Sequence, residues 1–212
     1  MIEIKKQKEP AKLIAHKKKK YATYTNMPMD VHQAVLESLM REQGFICAYC
    51  MRKIPQKGKK PAVTIEHIEA QSSTDIRAAL DYRNMLAVCN GNRGNAENAM
   101  TCDARRKNVP LTVNPLKPST LLGIQYKPDG MIFSTDENVN RDLTVTLNLN
   151  CNDFGLVDCR RDALQKMLAV LKEKHSSGDI KLYCAKLLKT YKEESTKTPY
   201  VGILIYWLEK HC

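Results

Sequence analysis

Cys47-Ala48-Tyr49-Cys50 constrains this chain more than any other stretch. Two cysteines at this spacing, flanked by Phe45, Ile46, Met51 and Ile54, match the turn of a zinc knuckle. Zinc needs four ligands, and Cys89 and Cys102 can supply the other two. Twelve residues separate that second pair, where two to four is usual, so Asn90 to Thr101 must bulge out of the knuckle. A bound zinc would staple a unit too small to hold a core of its own. Thioredoxin-like redox chemistry also uses Cys-x-x-Cys, but its βαβ context is absent.

The redox setting bears on this choice. The chain has 8 cysteines, enough for disulfides. Residues 1–20 carry lysines and lack a compact apolar segment, which argues against a secretion signal. No apolar run reaches the roughly 18 residues that a membrane helix needs. We therefore expect a cytoplasmic protein without membrane contact, in which clustered cysteines favour metal. Cys151, Cys159, Cys184 and Cys212 lie in or beside apolar stretches and are expected as buried thiols.

Between the cysteine pairs runs Val63-Thr64-Ile65-Glu66-His67-Ile68, read as a strand over residues 62–68. An acid and an imidazole inside an apolar strand invite a chemical reading. Hydrolysing a phosphodiester requires a base for water and a counter-charge for the phosphate and the leaving oxygen. Histidine suits the first task near neutral pH, and one divalent cation can do the second. His67 is the candidate base and Glu66 a hard oxygen ligand for Mg²⁺ or Mn²⁺. Adjacent strand residues point to opposite faces, so a local bend must bring the two to one site. A further ligand must come from the following helix, with Asp103 and Asn92 as the candidates. Asn84, in Tyr82-Arg83-Asn84-Met85-Leu86, can orient the loop between strand and helix through bonds to backbone groups.

The charge balance fits a polyanionic partner. Net charge is +11. Residues 1–60 hold 14 Lys/Arg against 5 Asp/Glu, whereas residues 61–212 hold 20 against 18. A basic front half points to nucleic acid. Arg93, Arg105, Arg106 and Lys107 are candidate phosphate contacts, the last three on a short helix beginning at Cys102. The run Lys17 to Lys20, taken alone, reads more readily as a solvated stretch. Tyr21 and Tyr24 after it can stack on bases or dock the segment on its own domain.

Three regions follow. Residues 1–28 read as an irregular basic arm, interrupted by Pro10 and Pro28. Residues 29–116 carry the chemistry, opening with a helix from Val31 to Gln43 that Asp30 caps and Gly44 ends. A short helix capped by Asp75, with Ile76, Ala79 and Leu80 on one face, is expected before Asn84. Residues 117–212 read as a small lobe for core or partner contact. It opens with a hairpin around Lys127-Pro128-Asp129-Gly130. A strand follows on the alternation of Leu143, Val145, Leu147 and Leu149. Three helices then carry the stripes Leu164 to Leu171, Ile180 to Tyr191 and Val201 to Leu208.

The ordered set Cys-x-x-Cys, Ile65-Glu66-His67, Tyr82-Arg83-Asn84-Met85-Leu86-x-x-Cys89 and Cys102-Asp103-x-x-Arg106 resembles the HNH (ββα-metal) nucleases. Glu9-Pro10 with Leu13, Asn90-Gly91-Asn92-Arg93-Gly94, Val113-Asn114-Pro115-Leu116 and Leu147-Asn148-Leu149-Asn150 are similar to the PtuB group of Septu-type anti-phage systems and its retron-associated relatives. The motif likeness covers residues 45–116. It implies an α+β fold with a zinc-stapled ββα-metal core followed by a hairpin-plus-helices lobe. It implies His67 as general base, Glu66 as metal ligand and Asn84 as the middle letter of the motif. The third letter departs from the pattern: Asp103 stands where these proteins carry His or Asn. The resemblance also implies a PtuA-like ATPase of the SMC/ABC type as partner. Retron relatives would add a reverse transcriptase with its RNA–DNA hybrid. A DNA-cutting endonuclease in phage defence is the leading expectation. An RNA- or tRNA-cutting effector and a zinc-stabilised nucleic-acid-binding module without catalysis are the alternatives.

Overall fold

The computed structural model describes residues 1–55, 63–69, 78–175 and 180–212. It is a mixed α/β protein with two small antiparallel sheets. The first pairs β1 (Val63–His67) with β2 (Met85–Cys89), with Val63 opposite Cys89 and His67 opposite Met85. A five-residue helix α3 (Cys102–Arg106) follows, so the order around the cysteines is β, β, α. Helix α1 (Ala11–Lys17) packs on α2 (Met29–Glu42), which packs in turn on β2.

Helix α2 behaves as its sequence dictates. Val31, Val35, Leu36, Leu39 and Met40 form its buried face. Asp30 lies in the first turn, one place inside Pro28 and Met29. Gly44 ends the helix at φ +64°, and the Phe45 amide donates back to the Met40 carbonyl at 2.8 Å. Just beyond α2, the buried Gln43 finishes the edge of β2. Its carboxamide donates to the Ala87 carbonyl at 2.8 Å and accepts from the Ala87 amide at 2.8 Å. One side chain thereby does the work of a third strand and leaves no buried backbone group of Ala87 unpaired.

Residues 1–28 are not an irregular arm. α1 occupies part of them, and Met1, Ile4 and Leu13 are buried in the same apolar cluster that runs on to Leu208, with His16 buried beside them on α1. The Ile4 amide donates to the Pro115 carbonyl at 2.9 Å. The basic composition of this stretch hid a few apolar residues at well-spaced positions, and those suffice to dock it.

The second sheet is the expected hairpin, β3 (Ile124–Tyr126) against β4 (Ile132–Ser134). Its turn places Gly130 at φ +95°, and Asp129 accepts from the Met131 amide at 2.9 Å. The expected strand through Leu143 to Leu149 is absent. Helix α4 (Glu137–Arg141), capped by Asp136 accepting from the Val139 amide, runs into a π-helical turn Asp142–Thr146. Leu143 and Leu147, one helical turn apart, are buried, while Val145 is 55% exposed. Spacing of two and spacing of four coincide in this sequence, and the strong Asp136 cap decides for helix.

Helices α5 (Leu156–His175), α6 (Ile180–Glu193) and α7 (Val201–His211) pack on one another, and α7 also touches β3. Arg160 of α5 is buried and ties the lobe together through the carbonyls of Gly130 and Leu149, at 2.6 and 2.9 Å. Cys184 and Cys212, expected as thiols, are joined as a disulfide between α6 and the end of α7. Their wide separation along the chain concealed the pairing. Among the described residues no helix is long and apolar enough to cross a membrane. The expected helix cap at Asp75, with Ile76, lies outside the described residues.

Candidate metal centre and active site

A tight turn presents the first two cysteines. The Cys47 amide donates to the Arg52 carbonyl at 2.9 Å, the Met51 amide donates to the Cys47 carbonyl at 3.0 Å, and Met51 takes φ +60°. β2 delivers Cys89 from its last position, and α3 delivers Cys102 from its first. All four sulfurs are buried and lie within 4.8 Å of one another. Sulfur separations are 3.9 Å for Cys47 and Cys102, 3.7 Å for Cys50 and Cys89, and 3.8 Å for Cys89 and Cys102. A tetrahedral zinc with bonds of about 2.3 Å puts its sulfurs about 3.8 Å apart. A disulfide would need about 2.05 Å. The four cysteines therefore form a cage of the size that a metal such as zinc requires.

The long insertion between Cys89 and Cys102 closes at its neck. The Thr101 amide donates to the Gly91 carbonyl at 2.8 Å, with Gly91 at φ +59°. Within the loop, Asn92 donates to the Ala99 carbonyl at 3.0 Å and accepts from Asn95 at 2.9 Å. Asn92 thus braces its own loop.

Glu66 and His67 stand at the end of β1, both buried. The Glu66 carboxylate accepts from the Tyr49 hydroxyl at 3.1 Å and from the Arg106 guanidinium. Burial, together with the Asp103 carboxylate at hydrogen-bonding range, pushes the Glu66 carboxyl up to about 8, against the pull of Arg106. Two carboxyl groups sharing a desolvated corner is a costly arrangement unless a proton or a cation divides them. Asp103 also accepts from Arg93 at 2.6 Å. The structure therefore brings Asp103, and not Asn92, to Glu66.

The His67 ring lies on the same corner. Its Nε2 is 2.9 Å from the Ala79 carbonyl. A carbonyl only accepts, so Nε2 carries the proton and Nδ1 is the basic nitrogen. Burial lowers the imidazole pKa, with Arg106 acting in the same direction and the Ala79 bond and Asp103 opposing. Burial thus favours the neutral ring. Asn84 pins the segment after β1: its carboxamide accepts from the Glu69 amide at 2.8 Å and donates to the Glu69 carbonyl at 3.0 Å.

Arg106 corrects the expected basic face. It is 1% exposed and cannot meet a phosphate. Its guanidinium donates to Glu66, to the Tyr49 hydroxyl at 3.2 Å, to the His67 carbonyl at 2.9 Å, to the Ile68 carbonyl and to the Val109 carbonyl at 2.9 Å. Five-donor arginine suits such a convergence of acceptors, as lysine would not. Arg105 and Lys107 remain toward solvent and share Glu97 at 3.4 and 3.0 Å; Arg93 is also exposed.

Sequence reasoning missed Arg106 as a strut, because helix spacing alone does not say which face of a five-residue helix turns inward. It also left Tyr24 undecided. Tyr24 packs edge-on against His67 at 4.6 Å between ring centroids. Burial, then Asp103 and Glu66, push its hydroxyl up to about 12. It forms one wall of the corner. No protein-family model matches this chain, and no curated protein shows significant similarity to it.

Proposed function

We propose that the chain is a metal-dependent endonuclease of the HNH (ββα-metal) type that hydrolyses nucleic-acid phosphodiester bonds. The observation that carries this reading is the meeting of Glu66 and Asp103 beside a neutral His67, on strands and a helix joined by the four-cysteine cage. The sulfur cage fits zinc as a staple that fixes where α3 starts, and so where Asp103 stands. The paired carboxylates fit a hard cation, Mg²⁺ or Mn²⁺, which oxygen ligands favour.

Each residue then has a task. Glu66 and Asp103 would hold the cation, which would supply positive charge to neutralise the negative charge gathering on the phosphate and the leaving oxygen. His67 takes a proton from water at Nδ1 while its Nε2–H stays on the Ala79 carbonyl, which keeps the tautomer and the ring direction fixed. The new P–O bond forms from that water, and the old P–O bond breaks with its electron pair leaving on the sugar oxygen. Arg106 holds the Glu66 carboxylate and the backbone of His67 and Ile68 in place. Asn84 braces the turn behind them.

The family resemblance adds DNA as the favoured substrate, with RNA as the alternative. It also adds an effector role in an anti-phage complex with an SMC/ABC-type ATPase. Substitution tests the core of the proposal. His67→Ala and Asp103→Ala are expected to abolish cleavage by the partner-supplied protein in Mg²⁺ or Mn²⁺, roughly 10²-fold or more for loss of the base, with zinc content unchanged. If both variants cut as fast as wild type, the assignment fails. A zinc-stabilised binding module without catalysis would bind nucleic acid and never cut it.

A further inference from the structure

The segment from Lys17 to Asn26 is a built element on the rim of this corner. The Lys19 amide donates to the His16 carbonyl at 3.0 Å, and His16, itself buried, meets the Thr23 carbonyl at 3.1 Å through Nε2. Asn26 closes the turn, donating to the Tyr21 carbonyl at 2.7 Å and accepting from the Thr23 amide at 2.9 Å. The turn sends its two aromatics in different directions. Tyr24 packs on His67, while Tyr21 is 76% exposed.

Exposed Lys18, Lys19 and Lys20 immediately precede Tyr21. Lys17 pairs with Glu9 at 2.8 Å, whereas Lys18 and Lys19 have no ion pair among the described residues. Lys20 lies over the Tyr21 ring at 5.3 Å. Only Ala22 and Thr23 separate Tyr21 from Tyr24, so the two Cα atoms stand no more than about 11 Å apart. A solvated aromatic on a hydrogen-bonded turn, beside cations without ion pairs among the described residues, is the composition of a single-strand platform. The ring offers a π-face to any base, and the ammonium groups track the phosphates. A duplex keeps its bases stacked inward and has no use for such a ring.

We propose that Lys18, Lys19, Lys20 and Tyr21 form a platform that guides single-stranded nucleic acid toward His67, so that the substrate is single-stranded or locally unpaired. This rests on the nuclease reading for its direction, but its test does not require cutting. Fluorescence anisotropy of the full zinc-loaded chain, without added divalent cation, would compare labelled single-stranded DNA, single-stranded RNA and duplex DNA of one length. Single strands are expected to bind at least tenfold more tightly than duplex. Tyr21→Ala should weaken single-strand binding about tenfold and duplex binding little, and Tyr21→Phe should restore it, since stacking needs the ring and not the hydroxyl. Replacing the three lysines by serine should flatten the salt dependence for single strands by about two units of slope. Duplex bound as well as single strands, no binding of either, or a Tyr21→Ala variant that binds like wild type would overturn the proposal. His67-dependent cleavage with duplex preferred would refute this platform alone; Tyr21-dependent single-strand binding without any cleavage would refute the nuclease alone.

Discussion

Replacing Arg106 by methionine tests whether the candidate site is held by one buried cation. The substitution keeps much of the side-chain volume and removes every donor. It leaves Glu66 buried beside Asp103 without its counter-charge, and it strips the His67 and Ile68 carbonyls of a partner. Breaking a buried ion pair from one side costs about 3–5 kcal/mol, and each carbonyl left unsatisfied adds about 1–3 kcal/mol. With its carboxyl near 8, Glu66 already carries a proton much of the time at neutral pH, so the ion-pair cost largely falls away and the two carbonyls, together about 2–6 kcal/mol, set most of the loss. The expected net loss is therefore about 3–5 kcal/mol, a fall in urea midpoint of roughly 1.5–2.5 M if the slope is about 2 kcal/mol per molar. Adding Glu66→Gln should recover little of this, because a protonated Glu66 already lacks the charge that Arg106 offsets. The assay is equilibrium urea unfolding of the zinc-loaded protein followed by circular dichroism. A loss under about 1 kcal/mol would refute the reasoning, since that is what a solvated surface arginine gives.

Other perturbations reach other parts of the account. Cys47→Ser should lower bound zinc from about one ion per chain to a small fraction, read by elemental analysis, and a strong chelator should unfold the wild type, as expected of a metal-stapled unit. Gly91→Ala should destabilise by about 1–3 kcal/mol, because its Cβ would lie 2.0 Å from the Thr101 carbonyl oxygen at a backbone φ of +59°; thermal unfolding reads this directly. The lowered pKa of His67 means that the unfolded chain binds its proton more readily than the native one. Stability should therefore fall as pH drops below about 6.5 toward the folded value, and His67→Gln should remove that part of the slope in unfolding measured from pH 7.5 to pH 5.5.

The parts of this structure that were legible in the sequence are those carried by short-range chemistry. Cys47 and Cys50 announced their turn by spacing, Gly44 the end of α2, and Asp129-Gly130 the hairpin. Cys89 and Cys102 could be guessed as partners despite their long insertion, because sulfur has few other reasons to flank such a strand. What remained hidden depended on the third dimension. Arg106 reads as one more cation in a basic run until α3 is seen to turn it toward Glu66. Leu143 to Leu149 satisfies two periods at once, and only the Asp136 cap and the packing of Leu147 separate them. Asp103 and Asn92 were both candidates as oxygen ligands, with Asp103 favoured. Their separation is set by the Gly91 to Thr101 closure, which returns the chain so that α3 begins beside the cage.

Anomalous diffraction from crystals containing zinc and soaked in Mn²⁺ tests the central claim most directly, because it locates two metals by element. The account predicts zinc among the sulfurs of Cys47, Cys50, Cys89 and Cys102, and manganese between the carboxylates of Glu66 and Asp103, beside His67. Manganese bound elsewhere, or not at all, with those carboxylates still sharing only a proton, would contradict it.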